Sequence, residues 1–366
     1  MNRLAGIVAV VAGVSAALGV GAWLIGRVFT DRFLITQFVW WIPAWACLIV
    51  IALALLIRTI AQCVLRRSGK RSPMFSRFLT LGLVVAVLHA SIFEYRLVSP
   101  RTPSPDSSLR LLVWNPAGQP TLAEPLLRGK PDILAVVNSG YGAEWAAVMA
   151  GLGERASAVR SGRLVVAARS RVIEWGGTSL KVTGAKERTF KWKGGQKHTI
   201  DEGYGIYCVL EDPTPAAPPG TRLTLWFLDL PSDPDIHRSR MMREARAAID
   251  TFRGPRYSRV NGDDRDELIP GGNSPQGFPP ADLVVGDFNT PRGSQSLEVV
   301  CPGLTHAFRQ AGVGPAPTWP RELPLIAIDH IFVAPHRRAT KYATLDFGVG
   351  HHLAQWCEIV PELPEE

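Results

Sequence analysis

The chain has 366 residues, 46% of them hydrophobic and 20% charged, and a formal net charge of +8. Its first hundred residues hold ten Lys or Arg and two Asp or Glu, which is the whole of that charge. Residues 101–366 hold thirty of each sign, which excludes the basic domain expected of a protein that grips a polyanion by overall charge.

Three runs near the N-terminus carry no charge: Leu4 to Ile25, Leu34 to Ile57 and Phe78 to Phe93. Roughly 20 apolar residues at ~1.5 Å rise cross a ~30 Å hydrocarbon layer. The first two runs meet that length. The third meets it when Met74 and Phe75 join it and Arg77 snorkels to the headgroups. The expectation is a membrane anchor over residues 1–98, with transmembrane helices at about 4–25, 34–57 and 75–93. Trp40, Trp41 and Trp45 sit where interfacial aromatics are found, and Pro43 among them kinks or starts a helix. A cleaved signal peptide is disfavoured, because the first run is long and a second follows at once. Gly13, Ala17 and Gly21 form a small-residue stripe that permits close helix packing. His89 falls within the third span, near its end.

Between the second and third runs lie Arg58, Arg66, Arg67, Lys70, Arg71 and Arg77, against Arg27, Asp31 and Arg32 in the preceding loop. Basic excess marks the cytoplasmic side. The expected arrangement is an integral protein of the cell or inner membrane, with its partner the lipid bilayer and its soluble domain extracytoplasmic.

Ser99 to Ser108 reads as an extended linker with three prolines. From residue 109 to 366 short apolar runs alternate with helical segments. Strands are expected at Leu109–Trp114, Ile133–Val137, Arg163–Ala168, Leu223–Leu230, Leu283–Gly286 and Ile328–Val333. Helices are expected at Gly142–Gly151 and Ile236–Phe252, the second with Ser232 and Asp233 as candidate caps. Uneven strand spacing points to an α/β fold, a two-layered mixed β-sandwich flanked by helices and preceded by the three transmembrane helices. Asn261 to Pro280 and Leu210 to Arg222 read as surface loops. The arginines of the second helix (Arg238, Arg240, Arg243, Arg246) read as a solvated face, and Lys181 to Lys197 as an exposed hairpin. The five cysteines show no metal-ligand spacing.

Polar residues collect at strand ends, where a rigid sheet can support a site. Asn115 follows the first strand, Asp287 and Asn289 follow another, Asp329 and His330 begin a third, and His351 and His352 lie near the C-terminus. His330 alternates with Asp329 and faces away from it.

In order along residues 109–360, Asn115, the run Pro131 to Ala135, the run Gly286 to Pro291, Thr318-Trp319-Pro320 and Ile328 to Ile331 resemble the endonuclease/exonuclease/phosphatase superfamily of metal-dependent phosphodiesterases. The resemblance implies hydrolysis of a phosphate ester with a divalent ion, usually Mg²⁺. It implies that Asp287 positions or deprotonates the attacking water and that Asn289 hydrogen-bonds the phosphate. His352 then faces the phosphorus, with Asp329 fixing its tautomer, and Asn115 supports the metal shell. Arg169, in a segment that resembles the family's strand ending in Ser-Arg, is expected either near the site or in a structural role.

Three positions depart from the pattern. Asn138 stands where the family has its chief metal-ligating Glu, Asp229 where it has a phosphate-contacting His, and His351 where it has a metal-side Asp. A neutral amide weakens a hard-cation site, and a carboxylate facing a phosphate repels it unless a metal or proton intervenes. The resemblance puts Asn115, Asn138, Asp287 and His351 on the metal side; one reading is a reorganised hydrolase in which Asp229, Asp287, His351 and His352 ligate a softer ion such as Mn²⁺ or Zn²⁺, for which imidazole is suited. Its substrate would be a phosphate ester, a lipid headgroup or small molecule in preference to nucleic acid. The other is a pseudoenzyme that binds a ligand or partner on the same fold.

Overall fold

The computed structural model describes residues 2–66, 75–98, 105–120, 122–140, 144–192, 195–215, 217–259, 266–273 and 276–362, and it divides into two compact units. The first contains α1 (Asn2–Phe29), α2 (Leu34–Trp40), α3 (Ala44–Arg66) and α4 (Phe75–His89), which runs on through a π-helical turn at Ala90–Glu94. Arg3–Phe29, Ala44–Leu65 and Arg77–Glu94 are long and apolar enough to cross a membrane.

The second expected span is corrected. Residues 34–57 are not one helix, because Pro43 has no N–H to give to an i−4 carbonyl and α3 begins immediately after it. As a result α3 continues past Ile57 and includes Arg58, which the sequence reading put in a loop. Arg58 is buried against α1 and its Nη1 donates to the Ala9 carbonyl at 3.4 Å. A Cβ at Gly13 would meet that Nη1 at 1.7 Å, so this position must be glycine while the arginine lies there. The small-residue stripe shifts too. Ala16 is fully buried and a Cβ at Gly19 would meet Ile51 at 2.9 Å, whereas Gly21 faces open space. His89 stacks edge-on against Trp23 and lies 3.6 Å from Glu94. Glu94 itself takes both Nε and Nη2 of Arg27, at 2.8 and 3.1 Å. Arg67, Lys70, Arg71, Met74 and the first part of the linker, 99–104, lie outside the described residues.

The second unit begins with β1 (Leu109–Trp114), α5 (Ala123–Leu127), β2 (Ile133–Val137), α6 (Trp145–Leu152), β3 (Ser157–Ser161), β4 (Leu164–Ala168) and β5 (Val172–Ser179). A two-stranded ribbon follows, β6 (Glu187–Trp192) with β7 (Gly195–Ile200), then β8 (Tyr204–Glu211), β9 (Arg222–Asp229) and α7 (Arg238–Asp250). The chain continues through β10 (Pro255–Arg259), β11 (Asp266–Asn273), β12 (Leu283–Asp287), α8 (Leu297–Val300), β13 (Thr305–His306) and α9 (Ala307–Ala311). It ends with β14 (Asp329–Val333), β15 (Arg337–Leu345) and β16 (Ala354–Pro361).

These strands form a six-stranded sheet, β15-β16-β1-β2-β4-β3, and an eight-stranded sheet, β11-β10-β5-β8-β9-β12-β14-β13. Both mix parallel and antiparallel pairs. Alternation within each strand explains the sandwich. Leu109, Leu111 and Val113 of β1 join Ile133, Ala135 and Val137 of β2 in the core between the sheets. The intervening Leu112, Trp114, Leu134 and Val136 pack outward on α5 and α6 through Ala123, Leu126, Val148 and Leu152. On the other side Met241, Met242, Ala245 and Ile249 of α7 cover Tyr207, Trp226 and Leu228. Burial on both faces is why these strands read as unbroken apolar runs.

Several local expectations change. Helix α7 starts at Arg238 after His237, with no side-chain cap, and Asp233 instead accepts the Lys186 N–H at 3.0 Å. Arg238 is fully buried, not on a solvated face, while Arg246 pairs with Asp250 at 2.9 Å. The described part of the loop expected at 261–280 includes β11. Helix α6 occupies Trp145–Leu152; Gly142 lies outside the described residues, as do the side chains of most of the basic hairpin. All five cysteines are free.

Candidate active site

The apolar rows that face the space between the sheets end in polar residues at one end of the sandwich. On β9, Leu225 and Phe227 are followed at the same alternation by Asp229; on β12, Leu283 and Val285 are followed by Asp287; and Asp329 opens the row of Ile331 and Val333 on β14. Strand register sets the three aspartates side by side, Asp287 opposite Asp229 in the parallel pair and opposite Asp329 in the antiparallel pair. Tyr204 of β8 extends the row as the partner of Asp229. From the facing sheet, Asn115 follows Leu109, Leu111 and Val113 in the same way.

Gly286 lets the central strand come this close. It has φ +142°, and a Cβ there would sit 1.8 Å from the Leu228 carbonyl oxygen. The loop after it is held by side chains. Asn289 adopts φ +47°, a left-handed conformation that asparagine tolerates better than most residues. Its N–H donates to Asp287 Oδ1 at 2.9 Å and its Nδ2 to the Leu230 carbonyl at 2.7 Å. Asn115 Nδ2 donates to Asp287 Oδ2 at 2.8 Å, so both oxygens of that carboxyl are fixed. Across the site, His352 Nδ1 lies 2.8 Å from Asp329 Oδ2 and its Nε2 lies 3.9 Å from Asp287 Oδ2. Thr318 Oγ1 receives the N–H groups of Ile328 and Asp329, at 3.1 and 3.2 Å, which anchors the start of β14.

Asp229, Asp287, Asp329 and His352 are all buried. Burial pushes the Asp287 carboxyl up to about 8, and the adjacent Asp329 charge adds to the effect. Burial raises Asp229 to about 7, against the pull of Arg163. Burial opposes charge on His352, but the charge and hydrogen bond of Asp329 outweigh it and hold the imidazole up at about 9. Two buried carboxyls pushed toward the neutral form mark a place where a bound cation would be favoured. The chemistry of its donors suits a divalent cation: Asp287, Asp329 and His352 each offer one ligand atom, all within 4.8 Å of one another.

The residues expected from sequence divide into two sets. Asp229, Asp287, Asn289, Asp329 and His352 come together, and Asp329 does bond the ring nitrogen that sets the His352 tautomer. The expected ligand set does not form as a set. The Asn115 oxygen is taken up by the Ala117 N–H at 2.8 Å and by Asn138 Nδ2 at 3.4 Å. Asn138 sits at φ +53° at the end of β2, so it is near the site but turned to Asn115. His351 is exposed and offers its backbone carbonyl to Arg321. Of the expected ligands, Asp287 and His352 belong to the group that can hold an ion, and Asp329 joins them.

Of the two places expected for Arg169, the structure gives the structural one. Ala168 pairs with Ile133, at the far end of β2 from Asn138, and Arg169 Nε donates to the Pro131 carbonyl at 2.8 Å. The arginine near the row is Arg163, at the opposite end of the same strand, with Nε 2.6 Å from Asp229 Oδ2. It was read only as the first residue of a strand. The signal that points to it is Asp229 itself, an acid at a phosphate-facing position that calls for a partner. His330 faces away as expected: it is buried, with Nδ1 3.0 Å from His306 Nε2 and Nε2 2.7 Å from the Thr290 carbonyl oxygen.

No protein-family model matches the chain, and no curated protein matches its sequence. Solved structures similar to it are endonuclease/exonuclease/phosphatase proteins. One from Bacteroides thetaiotaomicron shares 13% identity, covering 70% of this chain and 98% of its own, with a TM-score of 0.45. The human Nocturnin catalytic domain, with a bound sulfate anion, shares 14% over 71% of this chain and 97% of its own, with a TM-score of 0.42. A mannosyl-6-phosphatase of B. thetaiotaomicron shares 12% over 69% and 100%, with a TM-score of 0.40. The likeness is one of fold.

Proposed function

We propose that this chain is a membrane-tethered, metal-dependent hydrolase of phosphate esters, of phosphodiesterase or phosphatase type. The observation that supports it is the convergence of Asp287, Asp329 and His352 on one buried point at the end of the sandwich. These three residues would hold a divalent ion, and the imidazole favours Mn²⁺ or Zn²⁺ over the Mg²⁺ usual for the family. Such an ion, when bound, withdraws charge from a phosphoryl oxygen.

The chain's own groups do the rest. Asp329 accepts the Nδ1–H of His352, which leaves Nε2 as the atom aimed into the site. Asn115 and Asn289 lock the Asp287 carboxyl from both sides. The second hydrogen of Asn289 Nδ2 remains for a phosphoryl oxygen. The proton released by the attacking water would go to Asp287, whose carboxyl Asn115 and Asn289 hold in place.

The substrate in this reading is a lipid headgroup or small phosphate ester in preference to nucleic acid, because residues 101–366 carry no net charge. The tether in this reading is the set of three apolar helices, and the basic excess that follows the second span supports a soluble domain outside the cytoplasm. Protease added to spheroplasts should cut that domain; protection reverses the orientation. The contrasting reading is a non-catalytic binding module, favoured by the neutral Asn138 and the exposed His351. Full-length protein in detergent, assayed on bis(p-nitrophenyl) phosphate with Mg²⁺, Mn²⁺ or Zn²⁺, separates the two. Metal-dependent turnover that disappears in Asp287→Ala supports the hydrolase, and no turnover with any of the three sinks it.

A further inference from the structure

Asp229 stands where a phosphate-contacting group is expected, and alone it would repel a phosphate. It is not alone. Arg163, immediately before β4 in the facing sheet, brings Nε to 2.6 Å from Asp229 Oδ2 and donates from Nη2 to Asp201 Oδ1 at 2.6 Å. Its backbone is pinned as well, since the Arg163 carbonyl accepts the Asn138 N–H at 2.9 Å. The guanidinium thus donates a hydrogen bond to Asp201 and forms an ion pair with Asp229, at the same end of the sandwich as the aspartate row. Among the described residues its Nη1 has no partner, and the side chain remains 31% exposed. An arginine paired with two carboxylates and with Nη1 left open can still donate to an anion.

We propose that Arg163 binds the phosphoryl oxygens of the substrate, and that Asp229 and Asp201 are positioning residues that hold its guanidinium for that purpose. This rests on the phosphate-ester reading of the site and adds its anion-binding group. The acid at position 229 and the base at position 163 act as one unit, in which the carboxylate turns the arginine and the arginine meets the anion. The ion-holding triad is separate from this pair: it uses Asp287, Asp329 and His352.

The test is binding of inorganic phosphate to the full-length chain in detergent, measured by titration calorimetry with and without Mn²⁺. Mn²⁺ affinity and melting temperature are read on the same samples. Arg163→Gln is expected to weaken phosphate binding at least 10-fold with Mn²⁺ affinity equal to wild type or tighter. Arg163→Lys keeps the charge without the fork and should recover part of the loss. Asp229→Asn should weaken phosphate binding less than Arg163→Gln does. Phosphate binding unchanged in a folded Arg163→Gln protein overturns the proposal, as does wild type that binds no phosphate under either condition. If Arg163→Gln does not fold, Arg163→Lys decides: unchanged affinity there overturns it. Phosphate binding that depends on Arg163 in a chain without turnover leaves this inference standing and removes the hydrolase reading.

Discussion

Asp287 and Asp329 are direct register partners on β12 and β14, both buried with 3% of their surface exposed. Two like charges opposite one another in a sheet destabilise it, and low dielectric makes the repulsion larger. The arrangement persists only with a proton or a cation between them. When a divalent ion enters, the protons must leave. Titration with Mn²⁺ at pH 7 in two buffers of different ionisation enthalpy should therefore show release of about one to two protons per ion. Binding without proton release would mean that the ion sits elsewhere.

The same protons make the metal-free protein sensitive to pH in a defined direction. Asp229 at about 7, Asp287 at about 8 and His352 at about 9 all lie above their ordinary values of 3.8, 3.8 and 6.5. The folded state then binds more protons than the unfolded state across that window, and stability falls as pH rises through it. Melting temperature of the metal-free chain should drop from pH 5.5 to pH 9, and saturating Mn²⁺ should flatten the decline. A metal-free melting temperature that rises over the same range contradicts the assignment. On the acid side the sign reverses: burial holds His330 down at about 4 and His306 well below its ordinary value. Their contribution is present above about 6.5 and is lost as pH falls toward 4.

Asp329→Asn tests the orientation of His352. The amide can no longer favour the imidazolium, so the ring's affinity for a proton should fall and its tautomer should be lost. Turnover is expected to drop about 10²- to 10⁴-fold, and Mn²⁺ affinity should fall as well, because Asp329 is one of the three groups that would hold the ion. The basic limb of the pH–rate profile should also move to lower pH. An unchanged profile together with unchanged Mn²⁺ affinity would contradict both roles.

Gly286→Ala places a methyl group 1.8 Å from the Leu228 carbonyl oxygen and should destabilise the domain by about 3 kcal/mol or more, as strain at a special backbone position does. Denaturant titration measures it. Within the anchor, Gly13→Leu should disturb helix packing through Arg58, whereas Gly21→Leu, facing open space, should leave the melting temperature unchanged.

The sandwich was legible because its central strands are apolar on both faces. Leu109–Trp114 and Ile133–Val137 fall at the limits read from sequence. Edge and ribbon strands such as Arg337–Leu345 and Asp266–Asn273 were not singled out, since half-exposed polar strands lack the continuous run. Asp287, Asp329 and His352 were legible as polar residues ending apolar rows. What sequence could not supply was the register that sets Asp229 beside Asp287, or the reach of Arg163 from the facing sheet. Both depend on pairings between segments far apart in the chain. The choice between the two places for Arg169 depended on pairing too: β4 runs antiparallel to β2, so its C-terminal end lies away from the site.

The most direct measurement of the central claim is anomalous diffraction from a crystal of the full-length protein soaked in Mn²⁺. The account predicts one peak among Asp287, Asp329 and His352, at roughly 2.0–2.3 Å from its ligand atoms. A soaked crystal with no ion at that point, or with the ion on Asn115, Asn138 and His351 instead, would contradict it.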